Sequence, residues 1–179
     1  MTTQPGLPMV EMQVIDVRKR PAGDDKPAGY VIVLEEVGGE CRLPIWVGPF
    51  EGASMALHLE KVQTGRPLTY AFMANLLQST GARLVEVLIN RISEDTFYAV
   101  AVVDVAGRTE TVDARPSDAL NLALITGAPI RVEASLLKPN ERPEVRKSID
   151  SLWSEGTRGA AQIVEEMGGG PGFGGGTQD

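Results

Sequence analysis

Asp113-Ala114-Arg115-Pro116-Ser117-Asp118-Ala119 is the stretch on which the reading of this chain turns. Before it, Arg108 to Ala114 has the length and residue types of a strand. After it, Leu120, Ala123 and Leu124 recur at helical spacing. The hand-over falls at Pro116, which suits a first helical position, where no N–H is needed. Asp118 then lies near the third helical position, where a negative charge complements the positive end of the helix. Strand, turn and helix therefore meet within seven residues that carry two carboxylates, a guanidinium and a hydroxyl.

The same grammar occurs earlier. Cys41 to Val47 reads as a strand, with Pro44 marking an edge or a bulge. Gly48 can cap a helix that opens at Pro49, with Glu51 two residues on. That helix contains Ala56-Leu57-His58-Leu59 and is expected to bury Ala53, Ala56, Leu59 and Val62 and to end at Gly65-Arg66-Pro67. The later helix contains Ala119-Leu120-Asn121-Leu122 and ends at Thr126-Gly127-Ala128-Pro129. Either an internal strand-strand-strand-helix duplication or ordinary helix punctuation produces such a rhyme.

Working outward, strands are expected over Met9–Arg18, with Val10, Met12 and Val14 on one face, and over Tyr30–Leu34, apolar on both faces and so interior. Gly38-Gly39 signals a hairpin. Thr69 is expected to cap a middle helix that buries Phe72, Met73, Leu76 and Leu77 and stops at Gly81. Leu84–Ile92 and Phe97–Val105 are further strands, and Ile130-Arg131-Val132 is a short last one. The fold class is α+β, with a mixed, mainly antiparallel sheet and three core helices. Residues 9–138 form the domain. Residues 139–167 are a partly helical extension, with a helix expected around 143–154. Residues 168–179 are read as a disordered tail, because 168–176 hold seven of the 20 glycines.

Composition excludes several kinds of chemistry. The 179 residues include one cysteine, Cys41, and one histidine, His58. An internal disulfide, a cysteine-rich zinc site and a two-histidine metal site within one chain are all excluded. No apolar run approaches the ~20 residues of a spanning helix, and no signal peptide is visible at Met1-Thr2-Thr3-Gln4-Pro5. These features favour the cytoplasm. The net charge of −7 is spread along the chain. Such a surface repels phosphate backbones unless basic side chains cluster in the fold.

Chemistry must then rest on carboxylates and arginine. If the two helix starts meet, Glu51, Asp113 and Asp118 are the candidate ligands of a divalent ion, and such a set suits Mg²⁺ or Mn²⁺. Arg115 is the candidate phosphate clamp. The bland reading is that Glu51 and Asp118 only complement their own helix dipoles and that Arg115 ties down its loop. Phe97-Tyr98 either stacks bases or packs into the core. His58, flanked by Leu57 and Leu59, reads as a surface or partly packed residue, and Cys41 as a small strand residue.

Leu43-Pro44-Ile45-Trp46-Val47-Gly48, Glu51, Arg66-Pro67-Leu68-Thr69, Thr96-Phe97-Tyr98-Ala99, Asp113 to Ala119, and Thr126-Gly127-Ala128-Pro129-Ile130 follow one another in an order that resembles the bifunctional nuclease domain family. The resemblance covers roughly residues 9–138. It implies a compact α+β domain, a homodimer, and cleavage of both RNA and DNA. Members often carry histidine directly after the Arg-Pro-x-Thr motif, where this chain has Tyr70. Two functions follow for test. One is a nuclease acting on single-stranded RNA or DNA, using Asp118, Arg115, Asp113 and Glu51 with Mg²⁺ or Mn²⁺. The other is a non-catalytic module of the same fold that binds a small anion or a protein partner.

Overall fold

The structure is a computed structural model and describes residues 8–20, 28–39, 41–94, 96–137 and 159–168. Strands β1 (Met9–Arg20), β2 (Gly29–Glu36) and β3 (Arg42–Val47) form one antiparallel meander. Strands β4 (Ala82–Ser93), β5 (Thr96–Val105) and β6 (Arg108–Ala114) form a second. The short β7 (Ile130–Glu133) joins them, antiparallel to β1 and parallel to β4. The order across the sheet is β3-β2-β1-β7-β4-β5-β6. The architecture is thus the expected mixed, mainly antiparallel α+β sheet.

Each meander ends on an outer edge of this sheet, and each edge strand runs directly into a helix. β3 leads through Gly48 into α1 (Pro49–Leu59), and β6 leads through Arg115 into α3 (Pro116–Thr126). The two halves therefore share one connectivity, as a repeated unit would. Pro44 sits on the edge strand β3, where a missing ladder N–H costs least. The hairpin between β2 and β3 turns at Gly38-Gly39, and Gly39 takes the positive φ of +80° that the turn requires.

The main core lies between the sheet and the helices. α1 packs on β1 and β2, α3 on β4 and β5, and α1 and α3 on each other. Val17, Ile32, Leu34, Met55, Val87, Ile89, Leu120 and Val132 are fully buried in it. β2 is interior and apolar on both faces, as expected: Val31 and Val33 are buried on the opposite side with Ile15 against them.

Two helix readings change, and a further helix falls in the extension expected to be partly helical. α1 ends at Leu59, with Lys61 in the left-handed region, well before Gly65. Its buried stripe is Gly52, Met55 and Ala56, because a glycine lets the helix sit against Tyr30. α2 (Thr69–Ser79) is capped by Leu68 and makes no side-chain cap bond through Thr69. Its buried residue is Tyr70, with Ala74 and Leu77 half-buried, whereas Phe72 is 61% and Leu76 52% exposed and Met73 is exposed as well. The physical reason is a polar tether: the Tyr70 hydroxyl bonds to Asp118 and turns that side of α2 towards α3. Finally, α4 (Ala160–Glu166) packs on α1 and β1 and buries Ala160, Ile163 and Val164 in the main core. The i, i+3, i+4 spacing of those three residues is the signal for it in the sequence. The helix expected around 143–154 and the tail beyond residue 168 lie outside the described residues. Among the described residues no helix is long and apolar enough to cross a membrane.

Candidate active site

The packing of α1 on α3 sets the two helix starts side by side. Asn121, fully buried on α3, fastens them. Its Nδ2 donates to the Glu51 carbonyl oxygen at 3.1 Å and to the Ser117 carbonyl oxygen at 2.9 Å. The first turn of α1 is thereby held against the first turn of α3. Arg115, the N-cap of α3, then reaches both acids. Its Nη2 donates to Glu51 Oε1 at 2.8 Å and to Asp118 Oδ1 at 3.0 Å, and its Nε donates to Asp118 Oδ2 at 2.6 Å. From α2 the Tyr70 hydroxyl donates to Asp118 Oδ1 at 2.6 Å.

The charges in this chain of contacts reinforce one another. Burial pushes the Asp118 carboxyl up, but hydrogen bonds from Arg115 and Tyr70 and the guanidinium charge outweigh it and hold the group below its ordinary 3.8. Burial pushes the Tyr70 phenol up, and its hydrogen bond to Asp118 with the charges of Asp118 and Glu51 pushes it further, against the opposing charge of Arg115. Tyr70 therefore stays protonated and donates. The bond to Asp118 and the two carboxylate charges raise Arg115, which remains a cation throughout. Two-thirds of the Arg115 side chain is solvent-exposed, so one edge of the guanidinium is held and the remainder faces outward.

Arg115 also lines a cleft of about 480 Å³ bordered by the end of β3 and by β5, β6 and the start of α3. β3 and β6 are opposite edges of the sheet, so the sheet curls until its edges border a single cavity. Trp46, Phe97, Tyr98, Asp113, Arg115 and Ser117 all line it. The expected residues thus divide into two groups. Glu51 and Asp118 share one guanidinium. Asp113, at the end of β6, lines the cleft and makes no ion pair or side-chain hydrogen bond with them.

This arrangement does not fit a divalent ion held by Glu51, Asp113 and Asp118 together. Such an ion needs carboxylate oxygens converging at about 2.0–2.6 Å, and here the space between Glu51 and Asp118 is filled by a cation. Among the described residues no three His, Cys, Asp or Glu side chains are grouped to hold a metal. His58 stays outside the cluster. Burial lowers its pKa, and its Nε2 is buried without a partner among the described residues. Cys41, the one cysteine of the chain, is half-buried beside the start of β3.

A family model described as the bifunctional nuclease domain matches residues 32–144, a range that holds the whole cluster from Glu51 to Asn121. The chain belongs to the bifunctional nuclease domain family. An uncharacterised protein of Mycobacterium tuberculosis is 39% identical over 143 residues, covering 76% of this chain and 82% of that protein. Bifunctional nuclease 2 of Oryza sativa subsp. japonica is 30% identical over 116 residues, or 63% of this chain. Bifunctional nuclease 1 of Arabidopsis thaliana is 31% identical over 117 residues, again 63% of this chain. The matched region spans 36% of the length of each of these two plant proteins.

Two site residues of this bifunctional nuclease domain escape a reading of the sequence. Tyr70 is visible there only as the residue standing where histidine is common, and the structure makes it the hydrogen-bond donor to Asp118. Asn121 carries a clearer signal, as the one polar residue inside Ala119-Leu120-Asn121-Leu122-Ala123 on a buried helix.

Because a guanidinium separates the acids, neutralising either Glu51 or Asp118 is expected to destabilise the apo-protein. Unfolding curves of Glu51→Gln and Asp118→Asn with and without Mn²⁺ read this directly. Tyr70→Phe is expected to cost about 1.5–3 kcal/mol, as for the loss of one hydrogen bond to a charged group. The pH dependence follows in sign. Asp118 has a folded pKa below 3.8, so its contribution is present above 3.8 and is lost as pH falls through the folded value. Tyr70 is raised above 10.0, so its contribution is present below pH 10 and is lost at higher pH. Asp118→Asn should flatten the acid limb, and Tyr70→Phe the alkaline one.

Proposed function

We propose that this bifunctional nuclease domain hydrolyses phosphodiester bonds of RNA or DNA in the cleft between the two sheet edges. The observation that carries the reading is Arg115, held by Glu51 and Asp118 at the rim of α1 and α3 and lining the cleft. A guanidinium fixed in this way is pre-oriented for the non-bridging oxygens of a phosphodiester and for the charge that grows on them in the transition state. Asp113 is the carboxylate of the cleft that forms no ion pair among the described residues, and we assign it the proton of the attacking water. The water oxygen adds to phosphorus, the bond from phosphorus to the leaving oxygen breaks, and that oxygen takes up a proton from solvent. Glu51, Asp118 and Tyr70 are positioning residues that act through Arg115. No step is routed through Mg²⁺ or Mn²⁺, because two of the three carboxylates are already engaged by a cation.

The test is cleavage of labelled single-stranded RNA and DNA by the full chain in Mg²⁺, in Mn²⁺ and in EDTA. Cleavage is expected, and Asp113→Asn should lower it by about 10²-fold or more while leaving the melting temperature unchanged. A rate that survives Asp113→Asn unchanged would remove Asp113 from the mechanism. Stabilisation by nucleotides with no cleavage under any condition would instead support the non-catalytic module.

The same proposal includes a homodimer in the cytoplasm. Support for the dimer comes from α2, which has no charged residue and exposes Phe72, Met73 and Leu76 in a chain of net charge −7. Support for the cytoplasm comes from a cysteine content that permits no internal disulfide.

A further inference from the structure

We propose that the cleft binds single-stranded nucleic acid by stacking bases on Trp46 and Tyr98, two aromatics on its opposite walls that are each backed by an arginine. The proposal rests on the nuclease reading of the same cleft and adds the groups that recognise the strand.

Trp46 lies on the edge strand β3 and lines the cleft, and the residue is 52% exposed. Its ring leans over Gly29, where an added Cβ would meet ring atoms at 3.1 and 3.3 Å. Arg20 lies over the ring, with Cζ 4.6 Å from the centroid. On the other wall Tyr98 pairs with Arg91 across β4 and β5, next to the irregularity between Ile89 and Arg91. The Arg91 Cζ is 3.8 Å from the Tyr98 centroid. Neither Arg20 nor Arg91 forms an ion pair among the described residues, and the buried Arg20 Nε has no hydrogen-bond partner there. Arg18, Arg42, Arg83, Arg115 and Arg131 are paired with acids, and Arg66 and Arg108, which like Arg20 and Arg91 form no ion pair among the described residues, do not line the cleft. In an acidic chain, two guanidinium groups that form no ion pair among the described residues thus lie over two aromatics that line the cleft together with Arg115.

Stacking surfaces with cations beside them suit unpaired bases with phosphates running between them. A duplex hides its base faces, so stacking on these two rings favours an unpaired strand. Stacking also tolerates any base, so little sequence preference is expected. The competing role for these rings is to cover an exposed sheet edge, which requires an apolar surface but no aromatic face.

Binding of a phosphorothioate-linked, labelled single-stranded decamer to the full chain, followed by fluorescence anisotropy, separates these roles. Gel analysis after each titration confirms that the probe is intact. Trp46→Leu and Tyr98→Leu keep apolar cover and remove the π-face. Each is expected to weaken binding about tenfold or more, whereas Trp46→Phe retains most of the affinity. Parent-like affinity in both leucine variants, or equal affinity for a duplex of the same length, would overturn the proposal. A uridine monophosphate affinity equal to that of the decamer would assign the cleft to a free nucleotide and also overturn it. Aromatic-dependent binding with no cleavage of an ordinary phosphodiester probe would leave this inference standing and remove the nuclease reading. Cleavage with KM unchanged in both leucine variants would do the reverse.

Discussion

Arg115→Ala is expected to lower cleavage of single-stranded RNA and DNA by about 10²–10³-fold, the usual effect of removing one pre-oriented charge-stabilising group. On the proposed mechanism the change removes the cation that would meet the scissile phosphate. It also leaves Glu51 and Asp118, which now share that cation at 2.6–3.0 Å, as two unneutralised carboxylates at neighbouring helix starts. Arg115→Lys should restore little, because a point-like ammonium does not reproduce the fork that meets both acids and still presents a free edge. Initial rates at saturating substrate check this, and a parent-like rate in Arg115→Ala would defeat the assignment. The melting temperature of Arg115→Ala should also fall and should recover in part when Glu51→Gln is added, because the repulsion is then relieved. Additive effects of the two substitutions would mean that the side chains are not coupled.

Gly52→Val is expected to be the most destabilising single change near the site. A Cβ at residue 52 would lie 2.6 Å from the Cβ, Cγ and Cδ1 of Tyr30. Tyr30 has no room to retreat, since it belongs to β2 and pairs with Lys19 on one side and Val47 on the other. The helix must lift instead, at a cost of about 3 kcal/mol or more, as for other insertions into a close-packed contact. For a chain of this length that is a fall of roughly 6–12 °C in melting temperature. Gly52→Ala sets two effects against each other. Helix propensity favours alanine by about 1 kcal/mol, but the clash with Tyr30 outweighs that gain, so a net loss is expected. A stabilised Gly52→Ala in thermal and urea unfolding would show that the contact is soft. Because Glu51 precedes Gly52, lifting α1 also draws Glu51 away from Arg115, and cleavage should fall together with stability.

What the sequence determines by itself is local. Pro44 announces an edge strand or a bulge, because proline has no N–H to donate to a ladder. Gly38-Gly39 announces a turn, and Pro49 and Pro116 announce helix starts, because each residue restricts its own φ and its own hydrogen bonds. The alternation in β1 and the apolar runs of β2 and β5 indicate strands and their burial for the same reason. Glu51, Arg115 and Asp118 are also legible, as charges placed where a strand hands over to a helix. What those charges do to one another is not. Glu51 and Arg115 are 64 positions apart. Whether they meet as metal ligands or as an ion pair depends on how α1 packs on α3, and the buried Asn121 amide and the absent side chain of Gly52 decide that. The orientation of α2 shows the limit most clearly. Its pattern of Phe72, Met73, Leu76 and Leu77 indicates an amphipathic helix but not the direction its apolar side faces. One hydrogen bond from Tyr70 to a carboxylate 48 residues away leaves Phe72, Met73 and Leu76 outward and Leu77 half-buried against the core. Periodicity records the relative placement of side chains on one helix, whereas only the tertiary structure brings in the partner that selects which side is buried.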